Sequence, residues 1–313
     1  MKAVVSGGTG AIGMALIKEL ISKKHTVYVL VRPNSARMER LEGVEGVIPI
    51  KAELADYALK TSEIVEKIGA DVSVFYHLAW NGTIGDCRND CYLQNQNVKY
   101  TLDAVRLASA LGAKTFIGAG SQAEYGRTEG VLTPETLLKP ENGYGMAKMC
   151  AGFMSRLLCE QLSMKHIWVR VLSVYGPFDS EKTMVVSCLR KMLKGEAAKF
   201  TRGEQKWDYI YSKDAAVAFL RLGEVSLIND GLNNKVYCLG SGQVRELREY
   251  IKIMHEKSNC KQELKFGEVP YADRQVMYLA ADISDLQRDI DFEPMVSFEE
   301  GILETIEWIK NTQ

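Results

Sequence analysis

Tyr144 and Lys148 stand four residues apart at the entry to a helical stretch, which puts both side chains on one helix face. A free phenol titrates near ~10 and is a poor base at neutral pH. A neighbouring ammonium favours the phenolate and lowers that value. Such a tyrosine can exchange a proton with a substrate hydroxyl or carbonyl. The same spacing also arises as a plain surface pair, so its meaning depends on where the helix sits. Ahead of it runs Gly118-Ala119-Gly120-Ser121-Gln122-Ala123-Glu124-Tyr125-Gly126. Ser121 is placed either to hydrogen-bond the same substrate oxygen as Tyr144 or merely to cap a turn.

A second chemical feature lies at the start of the chain. Gly7, Gly10 and Gly13 form G-x-x-G-x-x-G, with Thr9, Ala11 and Ile12 between them, directly after an apolar strand and at the start of a helix. Glycines tolerate positive φ and let a pyrophosphate approach the main chain, and the helix N-terminus offers free N–H groups and a positive dipole end. In that position the turn predicts a dinucleotide site; its plain alternative is tight packing alone. The end of the second strand should choose the dinucleotide, since a carboxylate there binds ribose hydroxyls and a basic group accepts a 2′-phosphate. The segment from Leu30 to Arg37 holds no carboxylate but carries Arg32, Ser35 and Arg37. NADP(H) is therefore expected over NAD(H), unless the two arginines are only solvated loop charges.

The elements that must position these groups alternate. Strands are expected at 3–5, 26–31, 47–50, 72–77, 115–118 and 167–172. Helices are expected at 13–21, 62–68, 97–111 and 145–162. Apolar strands alternating with helices predict an α/β fold, a Rossmann-type doubly wound parallel sheet with ligands at the strands' carboxyl ends. With 313 residues, a smaller C-terminal substrate-binding lobe is expected beside it. The dinucleotide-binding domain would take 1–172 and returning segments at about 208–240, and the lobe 173–207 and 241–313.

The remaining composition excludes several classes. A net charge of −1 without a basic block argues against nucleic-acid or membrane-surface binding. No apolar run approaches the roughly 18 residues of a membrane span. The chain opens on a strand and turn rather than a signal peptide. Seven dispersed cysteines read as reduced thiols of a cytoplasmic protein, and no metal-ligand spacing stands out.

Together these residues resemble the extended short-chain dehydrogenase/reductase family, in its nucleotide-sugar epimerase, dehydratase and reductase branch, over nearly the whole chain. Beyond the glycine turn and the Tyr144/Lys148 pair, the resemblance extends to His77-Leu78-Ala79, Asn97-Val98, Arg170 through Pro177, and Trp207 through Asp214. It implies that Tyr144 is the acid/base, that Lys148 tunes it and binds the nicotinamide ribose, and that Ser121 positions the substrate oxygen. Glu53 and Leu54 would lie beside the adenine, and Leu78 and Ala79 along the cofactor. Gln122, Tyr125, Ser173 and Arg274 would meet the substrate, with filling of the lobe junction the alternative for Tyr125 and an ordinary surface salt bridge that for Arg274, and a homodimer would form through a four-helix bundle.

The chain also departs from the family. Val31 falls where UDP-galactose 4-epimerase carries its NAD-selecting Asp. Gln122 and Ala123 hold the places of the acidic residues that 4,6-dehydratases use to remove water, so dehydration is not expected. Ser173 replaces the usual Asn and Trp207 the usual Arg. The expectation is an NADP(H)-dependent oxidoreductase acting at C4 of a nucleoside-diphosphate sugar, as a 4-keto-6-deoxy sugar reductase or a 4-epimerase. The alternatives are a reductase of a small non-nucleotide carbonyl compound and a non-catalytic NADP(H)-sensing protein.

Overall fold

The computed structural model describes residues 1–312. Seven parallel strands form the main sheet: β1 (Lys2–Ser6), β2 (Thr26–Val31), β3 (Val47–Lys51), β4 (Val74–His77), β5 (Thr115–Ser121), β6 (Lys165–Val171) and β10 (Lys235–Leu239). Their order is β10-β6-β5-β4-β1-β2-β3. The chain runs outward from β1 to β3, then crosses back to β4, so the strand order reverses between β1 and β4. A crevice opens there at the carboxyl ends. Strands β4, β5 and most of β6 are buried along their length, and only a sheet covered on both faces allows that.

The cover on one face is α1 (Ala11–Ser22) packed on α7 (Ser212–Ser226), joined by α9 (Ser284–Ile290). The other face carries the short α2 (Asp56–Leu59), α3 (Thr61–Ile68), α4 (Cys91–Ala110) and α5 (Gly143–Gln161). Helix α4 starts six residues before the expected Asn97. Asp90 caps it by accepting from the amides of Tyr92 and Leu93, both at 3.1 Å. The fifth strand continues three residues past Gly118, which makes Ser121 its last residue.

The second lobe is a small mixed sheet with helices. Strand β9 (Lys206–Tyr211) pairs with β7 (Ser173–Tyr175), β11 (Val244–Glu246) and β13 (Tyr278–Leu279), while β8 (Lys199–Phe200) pairs with β12 (Lys265–Phe266). Helices α6 (Met184–Leu193), α8 (Leu247–Ser258) and α10 (Phe298–Asn311) pack round an aromatic centre. In it the Phe298 ring lies 4.5 Å from Tyr250 and 4.8 Å from Tyr175.

Two parts of the chain pack differently from the expected division. Residues 206–211 belong to the lobe sheet, so the return to the main sheet begins at α7, not at 208. Residues 284–292, expected in the lobe, bury Leu286, Ile290 and Phe292 in the core beneath α7. Asp208, in the marker segment, holds a structural position. Its carboxylate accepts from Ser241 N (2.7 Å), Gly242 N (3.1 Å) and Ala281 N (3.2 Å), tying β9 to the turn after β10.

Candidate active site

The glycine turn fits a phosphate for reasons of space. Gly7 has φ of 75°, and a Cβ there would stand 2.6 Å from the Ala79 amide nitrogen, where the chain leaves β4. A Cβ at Gly13 would collide with the Gly7 carbonyl oxygen and come within 2.7 Å of Gly8 Cα. Gly10 is the N-cap of α1. No side chain caps that end and no acidic residue sits in its first turn, so the amides of Ala11, Ile12 and Gly13 can meet an anion.

A cleft of about 180 Å³ follows the turn. Gly7, Thr9, Gly10, Arg32, Ser35, Arg37, Leu54, Leu78 and Ala79 line it, joined by Gly8, Leu30, Val31, Ala52, Tyr57, Trp80 and Asn81. The arginines therefore stand in the cleft at the end of β2, with no carboxylate among the lining residues. In the glycine turn itself, Ala11, Ile12 and Gly13 contribute no side chain to this wall. Ala11 lines a separate cavity of about 280 Å³ with Phe178 and Tyr211, Ile12 packs on the core, and Gly13 has none to offer. Glu53 is a correction: it is exposed and outside the cleft, while Ala52 and Leu54 on either side face it. Tyr57 was not legible, because nothing in a four-residue helix marks a ring turned towards a cleft. Trp80 did carry a signal, as the residue directly after Leu78-Ala79.

Tyr144 and Lys148 stand one ring, Trp80, away from this cleft. Asn142 caps α5 by accepting from Gly145 N (2.8 Å), which puts Tyr144 in the first turn and Lys148 one turn on. Tyr144 is 9% exposed, and its ring meets the edge of Trp80 at 6.0 Å. Burial raises the Tyr144 pKa; the neighbouring Ser121 side chain and the Arg88 charge pull it down, and Glu124 opposes them. The Arg88 guanidinium lies over the ring face, 4.3 Å from its centroid. Lys148 stands farther off, 5.9 Å from that centroid, with Nζ donating to Ala119 O (2.7 Å) and resting 3.8 Å from the Trp80 ring centroid. Burial lowers the lysine to about 7 against the pull of Glu124. Arg88 thus lies closer to the Tyr144 ring centroid than Lys148 does. Ser121 Oγ accepts from Ala123 N (3.2 Å) as a cap, at the end of β5 and beside Tyr144.

Behind Ser121 lies a buried ion pair. Glu124, 1% exposed, accepts from Ser121 N (2.8 Å), Trp168 Nε1 (3.0 Å) and Arg170 Nε (2.8 Å). Tyr125 is the second correction. It is fully buried, donates to Thr133 O (2.8 Å) and receives Arg170 Nη1 (2.9 Å), so it supports the pair rather than lining the cleft. Gln122 stays partly exposed in the 3₁₀ turn after β5. Ser173 is partly exposed and accepts from Trp207 Nε1 at 2.8 Å, so the two departures from the family pattern bond to each other. Arg274 lies at the surface, its charge felt by Glu141, and is not brought against Ser121 or Tyr144.

Among the described residues no helix is long and apolar enough to cross a membrane, and no group of three or more His, Cys, Asp or Glu could hold a metal.

The model of the NAD dependent epimerase/dehydratase family matches residues 3–240. An uncharacterized UDP-glucose epimerase, YtcB, of Bacillus subtilis is 23% identical over 99% of this chain and 98% of its own. Among solved structures, a UDP-N-acetylglucosamine 4-epimerase from Methanobrevibacter ruminantium in complex with UDP-N-acetylmuramic acid is 24% identical. It superposes with a TM-score of 0.87 over 100% of this chain and 99% of its own. A UDP-glucuronic acid 4-epimerase from Bacillus cereus in complex with NAD is 20% identical, with a TM-score of 0.83 over 100% and 99%. These likenesses share the fold.

Proposed function

The chain belongs to the NAD dependent epimerase/dehydratase family, and from that premise we propose that it is an NADP(H)-dependent oxidoreductase acting at C4 of a nucleoside-diphosphate sugar. The observation that carries this reading is the placing of Ser121, at the carboxyl end of β5, beside the buried Tyr144 in the first turn of α5, with Lys148 one turn on and the glycine cleft behind Trp80. A nicotinamide bound in that cleft would supply the hydride chemistry. The chain's own part is proton transfer: Ser121 holds the C4 oxygen and Tyr144 takes or gives its proton. Lys148, already held to Ala119 O, would be the donor to the ribose. The relatives named for 4-epimerases support a nucleotide sugar as substrate.

Dehydration is disfavoured because Glu124, the carboxylate nearest Ser121, is committed to Arg170. Arg32 and Arg37 support NADP(H), against the NAD of the Bacillus cereus structure. Helices α4 and α5 pack together and leave Phe153 (50%) and Leu157 (57%) exposed, which supports pairing with a second copy as a four-helix bundle. The seven free cysteines suit a cytoplasmic setting.

The test is turnover of nucleotide sugars by the parent and by Tyr144→Phe, with mass spectrometry of the dinucleotide. The variant should keep the dinucleotide and lose turnover by ~10²-fold or more. Released NADP+ marks a reductase, and cofactor retained unchanged marks an epimerase. Undiminished turnover in Tyr144→Phe would sink the proposal.

A further inference from the structure

The 3₁₀ turn after β2, Ala36–Leu41, carries Arg37, which lines the glycine cleft, and Arg40, which the proton-transfer reading leaves unused. Arg40 is half-buried, and its Nη1 donates to two carbonyls from distant parts of the chain. One is Thr9 O of the glycine turn (2.7 Å), directly before the N-cap of α1. The other is Phe178 O (3.1 Å), in the segment that leaves β7. A guanidinium keeps its charge in proteins and has donors only, so both bonds are charge-assisted.

The two carbonyls differ in what they control. Thr9 O belongs to the peptide before Gly10, in the wall of the cleft. A carbonyl turned into that cleft would repel a phosphate, and the bond to Arg40 holds it on the guanidinium instead. Phe178 has φ of 66°, a left-handed backbone that a side chain keeps only where its surroundings hold it. Its ring is flanked by the Arg40 guanidinium and the Lys18 ammonium, 5.4 and 5.5 Å from the centroid, and meets Trp308 of α10 at 5.7 Å. From Phe178 the chain runs through Asp179, which accepts from Oγ1 of Thr183 (2.8 Å), the N-cap of α6. Beside the Arg40 bonds, a cavity of about 580 Å³ lies between the 3₁₀ turn and the lobe, lined by Arg37, Glu39, Arg190 and Trp308 among others. The turn and the lobe thus meet at Arg40 and stand apart next to it.

We propose that Arg40 is a positioning residue that couples the glycine turn to the second lobe: one nitrogen holds the carbonyls of Thr9 and Phe178 together, so a dinucleotide seated on the turn steadies the entry to α6. The proposal rests on the reading of the glycine cleft as the dinucleotide site. A ligand that orders the turn fixes Thr9 O, and through Nη1 it narrows the positions open to Phe178. By linkage the effect is reciprocal, so a lobe held in place tightens the dinucleotide by the same factor.

Amide hydrogen exchange of the whole chain, followed by mass spectrometry with and without saturating NADP+ or NAD+, tests this. In the parent, the dinucleotide should slow exchange in residues 7–13 and, by about 5-fold or more, in residues 178–183. Arg40→Met keeps an apolar stem without the donors. It should keep the slowing in 7–13 and lose most of it in 178–183. Arg40→Gln, too short to bridge the two carbonyls, serves if the Met variant does not fold. A merely structural brace would raise exchange at 178–183 in the variant but leave the ratio with and without dinucleotide as in the parent, and that result overturns the proposal. So does a parent in which the slowing stops at the turn, a result that leaves the dinucleotide reading standing. If neither dinucleotide slows the turn, both readings fall together.

Discussion

Replacing Glu124 by Gln removes one charge from a pair that water barely reaches. Glu124 is 1% exposed and Arg170 5%, and the carboxylate receives three N–H donors at 2.8 to 3.0 Å. The amide has nearly the same shape, but its NH₂ would face a donor, either Arg170 Nε or the Ser121 and Trp168 N–H groups. It also leaves the guanidinium buried without a counter-charge. Breaking a buried pair from one side costs about 3–5 kcal/mol. At ~2.1 cal/mol/K per residue, the 313 residues carry an unfolding entropy of ~0.66 kcal/mol/K, so the melting temperature should fall by about 5–8 °C. Calorimetry measures this directly. The companion variant Arg170→Met should be similarly damaged. The double variant should lose less than the sum of the two, because it leaves no orphaned charge, with a coupling of ~0.5–3 kcal/mol. A single Glu124→Gln loss below about 1 °C, or strictly additive losses, would refute the reasoning.

Three further outcomes follow from the geometry. Gly13→Ala sets a Cβ against the Gly7 carbonyl oxygen and Gly8 Cα, both main chain, so dinucleotide affinity measured by calorimetric titration should fall by ~10-fold or more. Arg32→Ala with Arg37→Ala should weaken NADP+ by ~10-fold or more while leaving NAD+ within a few-fold; equal loss of both would refute the 2′-phosphate role. Lys148 falls to about 7 in the fold from 10.5, so the unfolded chain binds more protons between those values, and stability rises with pH across that window. The buried-charge cost is present in full below pH 7. The stability gained by Lys148→Met, read by urea unfolding without cofactor, should therefore be larger at pH 6 than at pH 9, and a gain that does not depend on pH would contradict the assignment.

Much of the arrangement was readable along the chain, because it depends on short-range pattern. Strand β1, the glycine turn and α1 are contiguous, so the need for bare backbone at Gly7 and Gly13 is written in consecutive residues. The four-residue step from Tyr144 to Lys148 follows from helical periodicity alone. The run from Leu30 to Arg37 placed two arginines at a strand end, and the parallel sheet carried them to the cleft. Alternating apolar strands and helices were enough for the doubly wound sheet.

What the chain order could not state is which distant side chains meet. Arg88 reaches the Tyr144 ring across 56 residues, and only the packing of the segment after β4 on the first turn of α5 brings them together. Tyr125 looked like a wall of the site because it lies near Ser121. Its hydroxyl turns instead to Arg170 on β6 and Cys238 on β10. The bond between Ser173 and Trp207 exists because β7 and β9 are neighbours in the lobe sheet. Charge and burial act through space at a few ångströms, so the proton affinities of Tyr144 and Lys148 were decided by tertiary neighbours. The types of the groups and their helical spacing were decided by the sequence.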